Sequence, residues 1–300
     1  MSRRFAIALA LCVVSASLHA APRTFVSSGG LDSNPCSRIA PCRSFTAALA
    51  FTDADGEVVV IDSAGYGPVS IGQSVTITTP LGVYAGITAS GVEGVVITTG
   101  ADDRVVLKGL TLNGISGAPA GVSFGSAGNL RLEDLSVSGF DSTQIEMFGG
   151  GSLAMHHYIV RGNRTLATSS GVFVSGNSAQ NALIESSRIE DADVGVFAGP
   201  NSNVTVVDSY VQTCTFSALK AQASGIMTVE RSVVVNSGQG VNTICLASNP
   251  IMGLSNNTIV ANGTGVNACA PSVVFSRGNN TIAGNNTDFA GSALTPFSGQ

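Results

Sequence analysis

A repeat of 22 to 27 residues runs through most of the chain and constrains the fold more than any other feature of the sequence. Each repeat contains a short string of the Gly-Val type, and one aliphatic residue recurs at the equivalent place in that string. The members of this first column are Val122, Ile145, Val172, Val196, Leu219, Val241 and Val266. A unit this short cannot bury an apolar face alone, whereas stacked units share one continuous core. The repeat therefore predicts a solenoid.

A second aliphatic column and a third short run indicate that each unit holds three strands. The second column contains Leu112, Val137, Ile159, Ile189, Val211, Val234, Ile259 and Ile282. The third run is typified by Val204-Thr205-Val206, in which apolar and polar residues alternate. Short alternating runs separated by Gly, Ser and Asn are typical of β-strands. We therefore predict an all-β chain that folds as a parallel β-helix, with three-strand coils of about 22–25 residues.

The composition agrees with this architecture and disfavours two classes of binding partner. Charged residues make up 11% of the 300 residues, and 36 residues are glycine. Coils that turn half of each strand inward and use small residues at their corners need little charge. The formal net charge is −5, which disfavours nucleic acid and anionic membrane surfaces as partners. We expect neither nucleic acid binding nor a membrane span.

The N-terminal segment has the pattern of a cleaved secretory signal. Arg3 and Arg4 precede an apolar stretch that is too short to span a bilayer, and the small residue Ala20 follows it. We expect residues 1–20 to be a signal peptide and residues 21–300 to form a single β-helix domain. The mature protein is then expected in the periplasm or the medium.

A short helix is predicted where the solenoid begins, over residues 43–52. Ser44 is a suitable N-cap, and Phe45, Ala48 and Leu49 fall on one helical face. An open β-helix end exposes unpaired backbone and core side chains, so it needs a cover. We interpret this helix as the N-terminal cap.

The cysteines predict two disulfides, since export leads to an oxidising compartment. Cys36 and Cys42 bracket a short loop that contains proline, and Cys245 and Cys269 follow equivalent strands in adjacent coils. Cys214 is left without a partner. No CxxC spacing occurs, so we predict no metal site from the cysteines.

The start of the expected mature chain resembles a known family. Residues 25–36 and 40–49, with the punctuation Asn34-Pro35-Cys36 and Pro41-Cys42, are similar to the N-terminal signature of the pectate-lyase-like superfamily. Among its members, the secreted bacterial right-handed β-helix repeat proteins are the most similar. The resemblance implies a right-handed parallel β-helix. Because the superfamily includes polysaccharide lyases, glycoside hydrolases, adhesins and tailspikes, the fold does not select one reaction.

The resemblance also implies where a ligand would lie. In the enzymes of the superfamily, sugar lies along a groove beside the first strand of each coil, which corresponds here to the strand of the first column. Alternation places the residue after each inward aliphatic on the outside. These outward residues are Ser123, Glu146, Phe173, Phe197, Lys220, Asn242 and Asn267. We predict substrate contacts from Glu146, Phe173, Phe197 and Asn242. Alternatively, the two phenylalanines stabilise each other across coils or are covered by a loop.

Lyase-type catalysis is one of the reactions that the resemblance allows, and the residues supply only part of a site for it. A lyase needs a Lys or Arg base and a group that neutralises the sugar carboxylate, often Ca²⁺ held by several carboxylates. Lys220 is the candidate base or binding cation, and Asp191 and Asp193 are the candidate acidic residues. They do not make the expected cluster of three carboxylates. We therefore predict no cofactor, and Ca²⁺ has no support.

Two other polar groups lie at the corner opposite the expected groove. His156-His157 is either an acid, base or metal pair or a pair of polar corner residues, and the repeat phase favours the corner. Asn256-Asn257 and Asn279-Asn280 occupy the same corner of adjacent coils, where asparagine side chains can bond to each other. We interpret the asparagines as a structural ladder.

Two functions remain open from the sequence. The first is an exported protein that interacts with a polysaccharide or cell-surface glycan along the groove, with or without lyase catalysis. The second is a non-catalytic surface or envelope protein with a structural or adhesive role.

Overall fold

The computed structural model describes residues 21–163, 166–246 and 248–297, and the predicted signal peptide lies outside them. Within these residues the chain winds as a right-handed parallel β-helix with three sheets, which we name A, B and C, and one short helix. The predicted fold class is therefore confirmed. In this part of the chain no helix is both long and apolar enough to cross a membrane.

Sheet A has twelve strands in the described chain. Its strands are Ala21–Val26, Thr52–Val60, Val75–Thr78, Arg104–Lys108, Asn129–Glu133, Gly151–His156, Gln180–Glu185, Ser202–Val207, Ile226–Glu230, Ile251–Ser255, Val273–Ser276 and Thr295–Pro296. Each strand pairs in parallel with the equivalent strand of the next coil, so each sheet runs the length of the solenoid.

Sheets B and C have ten strands each in the described residues. Sheet B consists of Ala64–Gly65, Ala85–Ser90, Leu110–Ile115, Ser136–Ser138, Ile159–Arg161, Arg188–Glu190, Tyr210–Gln212, Val233–Val235, Thr258–Val260 and Thr281–Ala283. Sheet C consists of Val69–Ile71, Val95–Ile97, Ala120–Phe124, Thr143–Met147, Ser170–Val174, Val194–Ala198, Ser217–Gln222, Gln239–Ile244, Thr264–Ala268 and Thr287–Gly291. A coil visits C, A and B in that order.

Residues in the left-handed backbone conformation form the sharp corners between the sheets. Most coils turn from sheet A to sheet B through one residue with positive φ, such as Asp134, His157, Ser186, Asp208, Arg231 and Asn256. Asparagine and aspartate tolerate this conformation better than most residues. A second corner, from sheet B to sheet C, repeats the device at Asp191, Thr213, Asn236 and Ala261. The polar residues that recur in the sequence are therefore corner residues.

The core is built from the two aliphatic columns, with one correction. The first column is paired in register from Val122 to Val266. In the second column the prediction of Ile159 is wrong, because Val160 pairs with both Val137 and Ile189. Ile159 points outward and is 47% exposed. The left-handed corner residue of this coil is His157 rather than the whole His156-His157 pair, so the inward position falls one residue later.

Buried polar ladders cross the coils at both corners. At the A-to-B corner, the backbone N–H of each residue donates to the side chain of its equivalent in the next coil, along Ser187, Ser209, Ser232, Asn257 and Asn280. At the B-to-C corner the same pattern links Cys214, Ser237, Asn262 and Asn285. The predicted asparagine ladder is confirmed, and Cys214 takes a position where later coils use serine or asparagine.

The N-terminal end is closed by the helix Phe45–Ala50, which is shorter than the predicted span because a strand of sheet A begins at Thr52. Ser44 Oγ accepts the N–H of Ala47 at 3.2 Å, and Phe45 and Ala48 are fully buried. The cap thus covers the first coil with apolar side chains.

The structure contains both predicted disulfides. Cys36 is bonded to Cys42 beside the cap, with Cα atoms 4.6 Å apart. Cys245 is bonded to Cys269 across adjacent coils, with Cα atoms 5.8 Å apart. Cys214 is a buried free thiol.

Replacing Asn257 by alanine is expected to destabilise the fold by about 2–4 kcal/mol, because the buried N–H of Ser232 and the carbonyl of Val229 both lose their partner. Urea unfolding measures this difference. The control Asn279→Ala removes an exposed ladder residue and is expected to cost less than about 1 kcal/mol, because water replaces its bonds. Equal losses in the two variants would contradict a structural role for the buried ladder.

The Cys214 thiol is expected to resist alkylation at pH 8 until the protein unfolds. It is buried, and burial raises its pKa to about 12, so the reactive thiolate is scarce and inaccessible. Peptide mapping after iodoacetamide treatment, with and without urea, measures the labelling. Complete labelling of Cys214 in the native protein would contradict this placement.

Candidate functional site

The outer face of sheet C carries the predicted outward residues in a single row, which we name the groove row. Strand pairing places each member opposite the next, in the order Ser123, Glu146, Phe173, Phe197, Lys220, Asn242 and Asn267. Neighbouring members therefore lie in successive coils, and the paired strands that carry them are about 4.8 Å apart. The structure therefore brings the predicted substrate contacts and Lys220 into one line.

Two aromatic rings form the centre of the groove row. The rings of Phe173 and Phe197 are stacked, with centroids 4.8 Å apart and an interplanar angle of 7°. Phe197 is only 8% exposed, whereas Phe173 is half-buried. A Cβ at Gly199 would lie 2.7 Å from Cε1 of Phe197, so glycine there leaves room for the ring. A ligand can reach Phe173 more easily than Phe197.

Lys220 lies against two aromatic rings. Its Nζ is 5.2 Å from the ring centroid of Phe197 and 5.3 Å from that of Phe216, which are cation–π distances. Burial lowers the pKa of Lys220, and the charge of Asp193 partly opposes this shift. In the described chain no carboxylate is within ion-pair distance of its Nζ, so the ammonium N–H groups are available to a ligand. Phe216 lies outside the repeat columns, and its only sequence signal is an aromatic residue four positions before Lys220.

Glu146 is a half-buried acid at the other end of the aromatic pair. Ser123 Oγ donates a hydrogen bond to its Oε1 at 2.7 Å. Burial raises the pKa of Glu146, the bond from Ser123 lowers it, and the negative charge of Glu93 raises it further, with a net increase. Glu146 can therefore hold a proton at a higher pH than an exposed glutamate.

Asn242 belongs to the groove row, but its side chain is buried. It is 1% exposed, and its Oδ1 accepts a bond of 3.3 Å from Nδ2 of Asn267. The Nδ2 of Asn242 has no hydrogen-bond partner among the described residues. The groove surface at this end is consequently formed by Asn267, which is half-buried.

The two candidate aspartates, Asp191 and Asp193, have different surroundings. Asp191 is a left-handed corner residue, and its Oδ1 accepts a bond of 2.9 Å from Thr213 Oγ1. Its Oδ2 also lies 3.8 Å from Nε of Arg161. Asp193 accepts the N–H of Thr168 at 3.2 Å and acts electrostatically on Lys220. Of the two candidate aspartates, Asp193 is the one whose charge raises the pKa of Lys220.

The histidine pair lies away from the groove row, on sheet A and at its corner with sheet B. The two rings have centroids 4.0 Å apart. His156 Nδ1 is 3.3 Å from Glu185 Oε2, and His157 Nδ1 is 3.6 Å from Asp134 Oδ1. Across residues 21–163, 166–246 and 248–297, no group of three or more His, Cys, Asp or Glu side chains is placed to hold a metal. His157 is the polar corner residue, and His156 is the last residue of the strand that precedes it.

Two solved structures with a similar fold are a pectate lyase and an alginate lyase. The crystal structure of pectate lyase Pel9A superposes with a TM-score of 0.72 at 17% identity, covering 91% of this chain and 79% of that one. The alginate lyase from Paenibacillus sp. str. FPU-7 superposes with a TM-score of 0.62 at 14% identity, covering 91% of this chain and 99% of that one. At these identities the likeness is one of fold. No curated protein matches the sequence at a significant level.

The repeat itself is matched by a family model. The model is described as a right handed β-helix region, and it aligns with residues 120–287, which is more than half of the chain. The matched segment contains the whole groove row and both polar ladders. The chain belongs to the right handed β-helix family.

Proposed function

We propose that the protein binds a polysaccharide along the groove row, with Phe173 and Lys220 as the principal contacts. The observation that carries this proposal is a cation held over two aromatic rings, with no ion-paired carboxylate among the described residues, in line with a stacked and partly exposed phenylalanine. Aromatic faces and free N–H donors are the groups that recognise sugar rings and their oxygen atoms. The pectate lyase and the alginate lyase that share the fold are, as their names state, enzymes that act on polysaccharides.

The row suits an extended ligand because its chemistry changes along its length. Glu146 accepts hydrogen bonds at one end, Phe173 offers a ring face in the middle, and Lys220 donates at the other end. A polymer that runs across the strands, along the solenoid axis, meets these groups in turn. Phe197 supports the site by backing the ring of Phe173 on one side and the ammonium of Lys220 on the other.

Lyase catalysis is a further part of this proposal. Lys220 would act as the base that removes the proton beside the sugar carboxylate, and burial favours the neutral form that this step needs. The electron pair left on carbon forms the C=C bond as the glycosidic C–O bond breaks, and the departing sugar oxygen takes a proton from water. Asp193 would keep the ammonium close after proton transfer.

A non-catalytic structural or adhesive role is the second candidate, and one observation favours it. Phe197 is nearly covered and stacked on Phe173, which is the geometry of a contact that stabilises adjacent coils. In that case the groove row strengthens a rod whose function is to hold or space a surface.

We also propose that the protein is exported to the periplasm or the medium and that residues 21–300 act as one β-helix domain. Residues 1–20 have the charge and apolar pattern of a signal peptide. The two disulfides support this location because such bonds persist in oxidising compartments.

Phe173→Leu is expected to weaken binding of the preferred polysaccharide about tenfold, because it removes a stacking face worth about 1 to 1.5 kcal/mol. Isothermal titration with pectate, alginate and glycosaminoglycan oligosaccharides identifies that ligand and measures the change.

Lys220→Met is expected to weaken binding similarly, because it keeps the apolar stem and removes the charge. Lys108→Met, on sheet A, is the matched control and leaves the affinity unchanged. Unaltered affinity in both groove variants favours the structural role.

Lyase activity is expected to rise with pH through the lowered pKa of Lys220, because only the neutral amine accepts the proton. The absorbance of unsaturated uronate products measures it on the same three substrates. Lys220→Arg retains the positive charge and is expected to keep binding, while turnover falls because the guanidinium has a far higher pKa than the buried amine and is seldom neutral. Absence of product from every substrate at every pH overturns the catalytic part of the proposal and leaves the binding part standing.

A further inference from the structure

A hollow lies on the outer face of sheet A, which is a different sheet from the one that carries the groove row. It has a volume of about 380 Å³, and its walls come from three successive strands of sheet A and the segment that follows them. The lining includes Ile226, Ile251, Phe275, Arg277 and Phe297. We name it the sheet A pocket.

The floor of the sheet A pocket is open because of Gly253. This residue lies in the middle of the strand Ile251–Ser255, paired with Thr228 on one side and Phe275 on the other. A Cβ at Gly253 would meet only Thr228 Oγ1, at 3.9 Å, and its φ is not in the left-handed region. Neither packing nor backbone conformation therefore requires glycine there. Glycine in a strand interior weakens the strand and often marks a site of close approach by a ligand.

Apolar side chains are concentrated around this floor. Ile226 and Ile251 are each 39% exposed, and Phe297 is 46% exposed. The rings of Phe275 and Phe297 meet edge to face with centroids 5.8 Å apart. Exposed apolar side chains that converge on one concave site indicate a binding surface rather than scattered surface residues.

One side of the pocket carries an available cation. The guanidinium of Arg277 lies 5.0 Å over the ring of Phe297. Among the described residues, the side chain of Arg277 makes no hydrogen bond or ion pair with any other group. Glu230, also at the rim, is already paired with Arg231, with Oε1 and Nη1 2.7 Å apart. An anionic group is therefore favoured on the Arg277 side.

We propose that the sheet A pocket binds a small planar carboxylate. The apolar ring of the ligand lies over Gly253, between Ile251 and Phe275, and its carboxylate accepts hydrogen bonds from Arg277. The volume is in the lower part of the range for small-molecule sites, which suits one or two fused rings. This site is on a different sheet from the groove row and does not depend on the proposed polysaccharide function.

Binding of 2-naphthoate to the full chain, measured by isothermal titration, tests the site. We expect a dissociation constant on the order of 0.1–1 mM for the wild-type protein. Gly253→Val fills the floor and is expected to weaken binding at least tenfold while the melting temperature stays the same or rises, because valine favours strands. Thr205→Val, in the same outward column two coils away, is the matched control and keeps the affinity.

Arg277→Gln tests the chemical class of the ligand. It is expected to weaken 2-naphthoate binding about fivefold to tenfold and to leave binding of the neutral 2-naphthamide unchanged. Arg104→Gln, an exposed arginine on the same sheet, is the control and alters neither affinity. No binding of 2-naphthoate by the wild-type protein, or wild-type affinity in either Gly253→Val or Arg277→Gln, overturns the proposal.

Discussion

Parallel strand pairing between successive coils is the constraint on which the rest of the structure depends. Because each strand meets its equivalent in the next coil, a residue type that recurs at one phase becomes a continuous column. Inward phases produce the aliphatic core, corner phases produce polar ladders, and one outward phase produces the groove row. The same pairing that buries Val196 also stacks Phe197 on Phe173 and sets Lys220 beside it.

The corners show how the solenoid satisfies its backbone where strands stop. At a tight turn, some backbone N–H groups point away from every strand carbonyl. These N–H groups are buried between coils and need another acceptor. Side chains of Ser209, Ser232, Asn257 and Asn262 accept them, so each coil satisfies the one before it. The scarcity of charge has the same origin, because a surface of short strands and small corner residues requires few ionised groups.

The sequence predicts the columns better than the features between them. Period and alternation were enough to identify the inward residues of sheet C and the members of the groove row. The second column failed at Ile159 because Tyr158, Ile159 and Val160 are all apolar, and only the left-handed φ of His157 sets the phase. A repeat pattern does not encode the conformation of the turns, and this conformation determines the burial of Asn242 and the contact of Lys220 with Phe216. It also does not predict the hollow at Gly253, which exists because glycine has no side chain.

The coil is also a unit of length that can change without disturbing the ends. Among the described residues, the cap helix Phe45–Ala50 packs mainly on the first strands, and each interior coil packs mainly on its two neighbours. Duplication or loss of one complete coil in the gene would keep every column in phase and leave the cap intact. Each event would lengthen or shorten the groove row by one residue, about 4.8 Å. The length of the groove row, and with it the length of the polysaccharide proposed to bind there, can therefore change in whole steps, independently of the stability of the termini.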